Sequence, residues 1–230
     1  MNIEESFNEA YEKVELWRNQ VIEEYELEEP IKELTKLGEE GHINSLIVLG
    51  KLADLKIIEA LINTQANYWF QKAADLGSEY AEFKCLESKL ETANFSEIEK
   101  ALISLGDRGY TLAYTKLGKC YSSGTHVDKD KTKAAPYLKK AADQGSYEAS
   151  IRYSELLQYG EGVDENPEEA IKYFEKCVDI SKTHSLALNE EYIHHTLYDE
   201  DEEYIDSLED AESMFKQLKE EIENELAGGN

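Results

Sequence analysis

The sequence is poor in proline, cysteine and positive charge, and it has no long apolar run. Three prolines in 230 residues leave long stretches free to be helical, because proline removes a backbone donor and breaks helix interiors. Cys85, Cys120 and Cys177 are odd in number, widely spaced and without a C-x-x-C pair. They predict no disulfide framework and read as reduced thiols between helices. Apolar stretches are only a few residues long, far short of the ~20 needed to cross a bilayer. The start, Met1-Asn-Ile-Glu-Glu-Ser-Phe7, has neither the basic nor the apolar region of a signal peptide. A cytoplasmic chain with no membrane association is expected.

Catalytic signatures are missing too. There is no G-x-G-x-x-G, P-loop, G-x-S-x-G or H-E-x-x-H. Asp128-Lys-Asp130-Lys-Thr132 starts like a calcium loop, but Lys133 stands where the sharp turn needs glycine and Lys139 where a bidentate carboxylate is needed. Asp164-Glu-Asn166-Pro-Glu168 fails at Glu169 in the glycine place, although Glu175 holds the last position. Helix capping accounts for the oxygens of both. His184, His194 and His195 cluster late in the chain, and His195 with Asp199 has i, i+4 spacing, but a third ligand is not apparent. A structural or surface role is expected for these histidines. No catalytic residue, metal or cofactor is nominated.

What is abundant is negative charge: 50 acidic residues against 24 basic ones, a net −26. Residues 1–30 hold ten carboxylates against Lys13 and Arg18, and residues 198–230 hold thirteen against Lys216 and Lys219. Such a field repels phosphate backbones and anionic lipid, so direct binding of nucleic acid or membrane is disfavoured. It steers a basic protein partner. The alternative is that acidic ends only keep the chain soluble and monomeric.

Self-similarity is the strongest signal. Residues 110–145 align with 146–181 at an offset of 36 without a gap. Ala113 falls on Ala149, Leu117 on Tyr153, Gly124 on Gly160, Val127 on Val163, Ala134 on Ala170 and Tyr137 on Tyr173. Glycines 145, 109, 77 and 41 extend the frame backwards, with the unit between Gly77 and Gly109 four residues shorter, most simply in its inter-helix loop. Each unit reads as two helices. In residues 110–145 the first carries Ala113, Leu117, Cys120 and Tyr121 on one stripe; the second carries Ala134, Tyr137, Leu138, Ala141 and Ala142 and ends at Gly145 as C′. Asp130 and Asn166 are predicted N-caps, with Pro167 at N1. One such hairpin cannot bury its stripe alone, whereas stacked neighbours do.

These residues resemble the Sel-one-like repeat (SLR), a relative of the tetratricopeptide repeat. The family pattern, A-x-x-x-L-G-x-x-Y, a G-x-G-V loop and A-A-x-x-G, is matched by Ala113, Leu117, Gly118 and Tyr121, then Gly124-Thr-His-Val127, then Ala141, Ala142 and Gly145. The next copy keeps Gly160-Glu-Gly162-Val163 but has Tyr153, Ser154 and Leu157 in its first helix. The resemblance implies an all-α, right-handed α-solenoid of about five antiparallel helix pairs, whose first helices line a concave groove. The expected division is an N-terminal cap and degenerate repeat at 1–41, four repeats at 42–181, and at 182–230 a partial repeat, an acidic turn and a capping helix near 207–226.

Carried over position by position, the groove is expected at Asn44, Ile47, Lys51 and Asp54; Tyr80, Phe83, Glu87 and Leu90; Leu112, Thr115, Lys119 and Ser122; and Glu148, Ile151, Glu155 and Gln158. Tyr80, Phe83 and Leu90 are equally readable as core of an irregular repeat. The resemblance implies a protein-interaction scaffold or adaptor that binds a partner through the groove and the acidic surface. A second reading is a bacterial immunity protein or antitoxin masking a basic toxin such as a nuclease, and a third, a hydrolase, would require turnover or a bound metal.

Overall fold

The computed structural model describes residues 2–55 and 65–186 together with Lys216, Lys219 and Glu220, with side chains described as far as Lys176 and at those last three. The fold class is all-α, as expected. Among the described residues the elements are α1 (Ile3–Arg18), a 3-10 turn (Glu24–Leu27), α2 (Glu28–Glu39), α3 (Ile43–Asp54), α4 (Ala66–Asp75), α5 (Glu79–Lys89), α6 (Phe95–Asp107), α7 (Thr111–Ser123), α8 (Lys131–Asp143), α9 (Tyr147–Tyr159) and α10 (Pro167–Leu186). The chain divides into two compact units, Met1–Thr92 and Ala93–Asn230. Of the predicted C-terminal helix, Lys216, Lys219 and Glu220 are described and helical; His184 falls within α10, and His194 and His195 lie outside the described residues. Lys219 is described, and its Nζ stands 3.7 Å from a Glu175 carboxylate oxygen.

In the first unit each helix packs on its predecessor, from α1 to α5. Helix α1 opens with a capping box: the Asn2 side chain accepts from the Glu4 N–H, and the Asn2 N–H donates to the Glu5 carboxylate at 3.0 Å. Phe7, Ala10 and Val14 form its buried stripe; Ile31, Leu34 and Leu37 form that of α2; and Leu46, Leu49 and Leu52 that of α3. His42 caps α3 by accepting the Ser45 N–H at Nδ1, and its ring lies 4.8 Å from that of Phe7. The cap thereby ties α3 to α1.

The second unit stacks α6 to α10 in the same way, with α7 also touching α9. The predicted stripes hold: Ala113, Leu117, Cys120 and Tyr121 are buried, as are Ala134, Leu138, Ala141 and Ala142, while Tyr137 is half-buried. Gly118 lets α8 approach α7, since a Cβ there would overlap the Leu138 side chain. The predicted caps are present. Asp130 accepts the Lys133 N–H at 3.0 Å and Asn166 the Glu169 N–H at 3.1 Å. Helix α8 ends in a Schellman turn, in which the Ser146 N–H donates to the Ala141 carbonyl and the Gly145 N–H to that of Ala142.

One detail departs from the expectation, the site of the four-residue deletion. Helix α5 has 11 residues where α7 has 13. The loop after α5, 90–94, is likewise two residues shorter than the loop 124–130 after α7, so the four-residue deletion is shared between helix and loop. Pro136 stands inside α8, on its exposed side, where the missing amide hydrogen leaves the buried stripe undisturbed.

Candidate functional site

Helices α7 and α9 are the first helices of successive repeats, and their outward stripe is the candidate face. It consists of Leu112, Lys116, Lys119 and Ser123 on α7 and Glu148, Arg152, Glu155 and Tyr159 on α9. All eight are exposed or half-buried. Leu112 keeps 41% of its surface exposed and Tyr159 keeps 62%. Between them runs a charge ladder. Lys119 lies 3.1 Å from the Glu148 carboxylate, which also accepts from Arg152 Nε at 2.8 Å. Glu155 is solvent-accessible, yet desolvation by the surrounding chain raises its carboxyl above the usual range. Arg152 and Lys131 pull it back down and Glu161 adds to the rise.

This stripe corrects the expected one at every second position. Thr115, Ile151 and Gln158 are buried rather than open to solvent, and Ser122 is half-buried. The cause is the direction of stacking. Positions 115 and 151 sit to one side of the outward stripe, toward the neighbouring helix. Thr115 Oγ1 meets Ser146 Oγ at 3.0 Å across the repeat boundary, and Ile151, only 2% exposed, packs with Phe174 and Tyr147. Leu112, Lys119, Glu148 and Glu155 do reach the surface.

The first unit behaves similarly. Asn44, Ile47 and Glu87 are half-buried and Asp54 is exposed, but Lys51, Tyr80, Phe83 and Leu90 are buried and line no open groove. The Tyr80 ring lies 6.1 Å from Phe70, and the Lys51 ammonium lies over it at 4.9 Å. Here the core reading of Tyr80, Phe83 and Leu90 holds, because α5 turns its aromatic residues inward onto α4 and α3. Cys85 and Cys120 are buried, and burial pushes the Cys85 thiol up.

Beneath the face of the second unit lies a cluster that sequence reasoning did not single out. One Glu99 oxygen, on α6, accepts from Tyr121 Oη at 2.8 Å and from Tyr137 Oη at 3.1 Å. The Tyr121 and Tyr137 rings stack at 6.0 Å. Next to them Tyr114 donates to Asp107 and receives a bond from Lys140 Nζ at 2.9 Å. The Asp107–Lys140 pair recurs one repeat later as Asp143–Lys176, at 3.6 and 3.8 Å. Thirty-six-residue spacing of Asp and Lys was the available signal.

Burial, reinforced by the Glu99 charge, pushes the Tyr137 phenol up to about 12, and burial with the Glu99 hydrogen bond also raises Tyr121. An unfolded phenol ionises near 10. Their contribution to stability is therefore fully present below pH ~10 and is lost as pH rises toward ~12. A urea titration followed at increasing alkalinity is expected to show the midpoint falling in that window. In Glu99→Gln the Tyr137 and Tyr121 phenols should ionise closer to 10, seen as an earlier rise in tyrosinate absorbance.

No group of three or more metal-ligating side chains occurs among the described residues, and none of their helices is long and apolar enough to cross a membrane. The two helix pairs carrying the face, and a segment of the first unit, match a known repeat model. The Sel1 repeat model matches residues 63–78, 111–146 and 148–176. The chain carries Sel1 repeats.

Several solved structures share the fold. A Sel1 repeat protein from Oxalobacter formigenes is 20% identical with a TM-score of 0.58, over 81% of this chain and 77% of that one. A protective antigen of uropathogenic Escherichia coli that displays an SLR fold is 21% identical with a TM-score of 0.57. That alignment covers all of this chain and 49% of the antigen, so the chain spans about half its length. An immunity protein from Pseudomonas aeruginosa is 18% identical with a TM-score of 0.51, over 96% of this chain and 81% of that one. No curated protein matches the sequence significantly. Sel1 repeat proteins are generally protein-interaction scaffolds, and the Sel1 repeat is typically a non-enzymatic fold.

Proposed function

We propose that this chain is a scaffold that holds a basic partner protein against the outward stripe of α7 and α9. The observation that carries the reading is the pairing of exposed Leu112 and Tyr159 with the Lys119–Glu148–Arg152 ladder on two adjacent first helices. Apolar anchors flanking a polar centre suit a helical or extended segment of another protein. Asn44, Ile47, Asp54 and Glu87 are proposed as contact residues of the first unit taken by itself. Within this reading residues 42–181 form the repeat body, and 1–41 and 182–230 are its ends. The net charge of −26 supports a basic partner and a monomeric free state, and it disfavours nucleic acid and anionic membrane; within the same reading the chain is cytoplasmic.

The double substitution Leu112→Glu with Tyr159→Glu tests it. Both side chains are exposed, so helicity and melting temperature are expected to stay within a degree or so of wild type. Capture of the partner from native host lysate is expected to fall at least roughly tenfold. Unchanged capture would remove the face from consideration.

A narrower form of the same reading is an immunity protein that masks a basic toxin. It is supported by the immunity protein among the structural neighbours and by the acidic surface. It predicts a tight one-to-one complex and loss of toxin activity in it, whereas an adaptor would recover several partners.

A further inference from the structure

The two most exposed large apolar side chains among the described residues lie together in the first unit, away from the Sel1 repeat matches. Val21 is 66% exposed and Tyr25 is 76% exposed, both in the turn between α1 and α2. The segment is held firmly. Helix α1 closes with the Val21 N–H donating to the Leu16 carbonyl and the Gln20 N–H to that of Trp17, at 2.8 Å each. Such a turn ordinarily folds the residue at the Val21 position back onto its own helix, but here Val21 points to solvent.

A few residues on, the Glu23 N–H donates to the Glu26 carboxylate at 3.0 Å, the Glu26 N–H donates to the Glu23 carbonyl, and Leu27 is fully buried. The turn is thus anchored at both ends with Val21 and Tyr25 outward. Around them stand Glu23, Glu24, Glu26, Glu28 and Glu29, all exposed. The cations that flank the turn in sequence are both engaged, Arg18 by Glu15 at 3.6 Å and Lys32 by Glu28 and Glu29 at 2.9 and 2.8 Å.

Charge decides the occupant. A second copy of this chain, at −26, or an anionic lipid surface would be repelled by the five carboxylates, and a neutral apolar surface would have to desolvate them without compensation. We infer that the 21–29 turn is a docking surface for a basic protein segment with an apolar face, with Val21 and Tyr25 as its anchors and the five glutamates as its charged rim. An apolar centre inside a charged rim is the anatomy of a specific interface, in which the rim steers and the anchors hold. The surface is built from residues of the first unit and the α7–α9 stripe from residues of the second, so each is tested by its own substitutions.

The test uses the full chain and two defined probes: a short amphipathic helical peptide of leucine and lysine, and a peptide of equal charge in which serine replaces every leucine. Binding is followed by fluorescence anisotropy at low and high salt. The leucine peptide is expected to bind about tenfold more tightly than the serine peptide, and Val21→Ser with Tyr25→Ser should bring it down to the serine level. Helicity and melting temperature should not change, and Leu112→Glu with Tyr159→Glu should leave this binding intact. Equal affinity for the two peptides, or undiminished leucine-peptide binding by the Val21→Ser, Tyr25→Ser variant, would overturn the inference. Either result would leave an acidic surface with no anchoring site.

Discussion

The substitution Gly162→Ala is expected to destabilise the second unit by about 3 kcal/mol, read as a lower urea midpoint with an unchanged slope. Two costs combine. Gly162 has φ +78°, where a side chain costs roughly 1 kcal/mol. A Cβ there would also run into the backbone carbonyl group of Lys131 and lie 2.6 Å from the Thr132 nitrogen, at the start of α8. Backbone cannot turn away as a side-chain tip can, so the loop itself must lift. The repeat supplies its own control. His126, the equivalent residue 36 positions earlier, takes φ +67° with a full side chain, so the backbone conformation alone is tolerable. Gly160→Ala, at φ +63° with its nearest neighbour a Glu165 side-chain carbon at 3.3 Å, should cost only about 1 kcal/mol. Equal losses at 160 and 162 would show that contact with α8 contributes nothing.

Ile151→Glu is expected to be at least as damaging, at about 4 kcal/mol or more, and to abolish the folded second unit rather than merely a binding function. Ile151 is packed against Phe174 and Tyr147 and is 2% exposed, so a carboxylate placed there would be buried among apolar groups. Arg152→Glu, one residue along on the outward stripe, should change stability by less than about 1 kcal/mol. Circular dichroism separates the two: the first variant loses helical signal, while the second keeps it and changes only binding. A folded Ile151→Glu protein would mean that position 151 faces solvent after all.

That pair of residues also marks where the sequence stops being informative. The period of 36, the C′ glycines and the caps at Asp130 and Asn166 were legible because each depends on a few neighbouring residues. The stripe of Ala113, Leu117, Cys120 and Tyr121 was legible because helical geometry fixes which positions share a face. Which flank of that helix receives its neighbour is set by the stacking of whole repeats, and Thr115 and Ile151 are ambiguous until Ser146 and Phe174 are placed beside them. The same holds for Tyr80 and Phe83, whose burial depends on α3 and α4. Pro136 did not interrupt the predicted helix, and it is accommodated on an exposed side. The Glu99 bonds join residues up to 38 positions apart, and local propensity draws no attention to them, whereas the neighbouring Asp107–Lys140 pair was marked by its recurrence at 36 residues.

The division of the chain at residue 92 has an optical consequence. Both tryptophans, Trp17 and Trp69, belong to the first unit, whereas the second unit carries only tyrosine and phenylalanine as aromatic chromophores. Indole emission is therefore a reporter restricted to one half of the molecule, while far-ultraviolet ellipticity sums over both. A denaturation curve recorded in the two channels measures how strongly the halves share one melting transition. With Gly162→Ala the comparison becomes direct: an emission curve that shifts along with ellipticity means the weakened half pulls the other down, and one that stays in place means each half melts on its own.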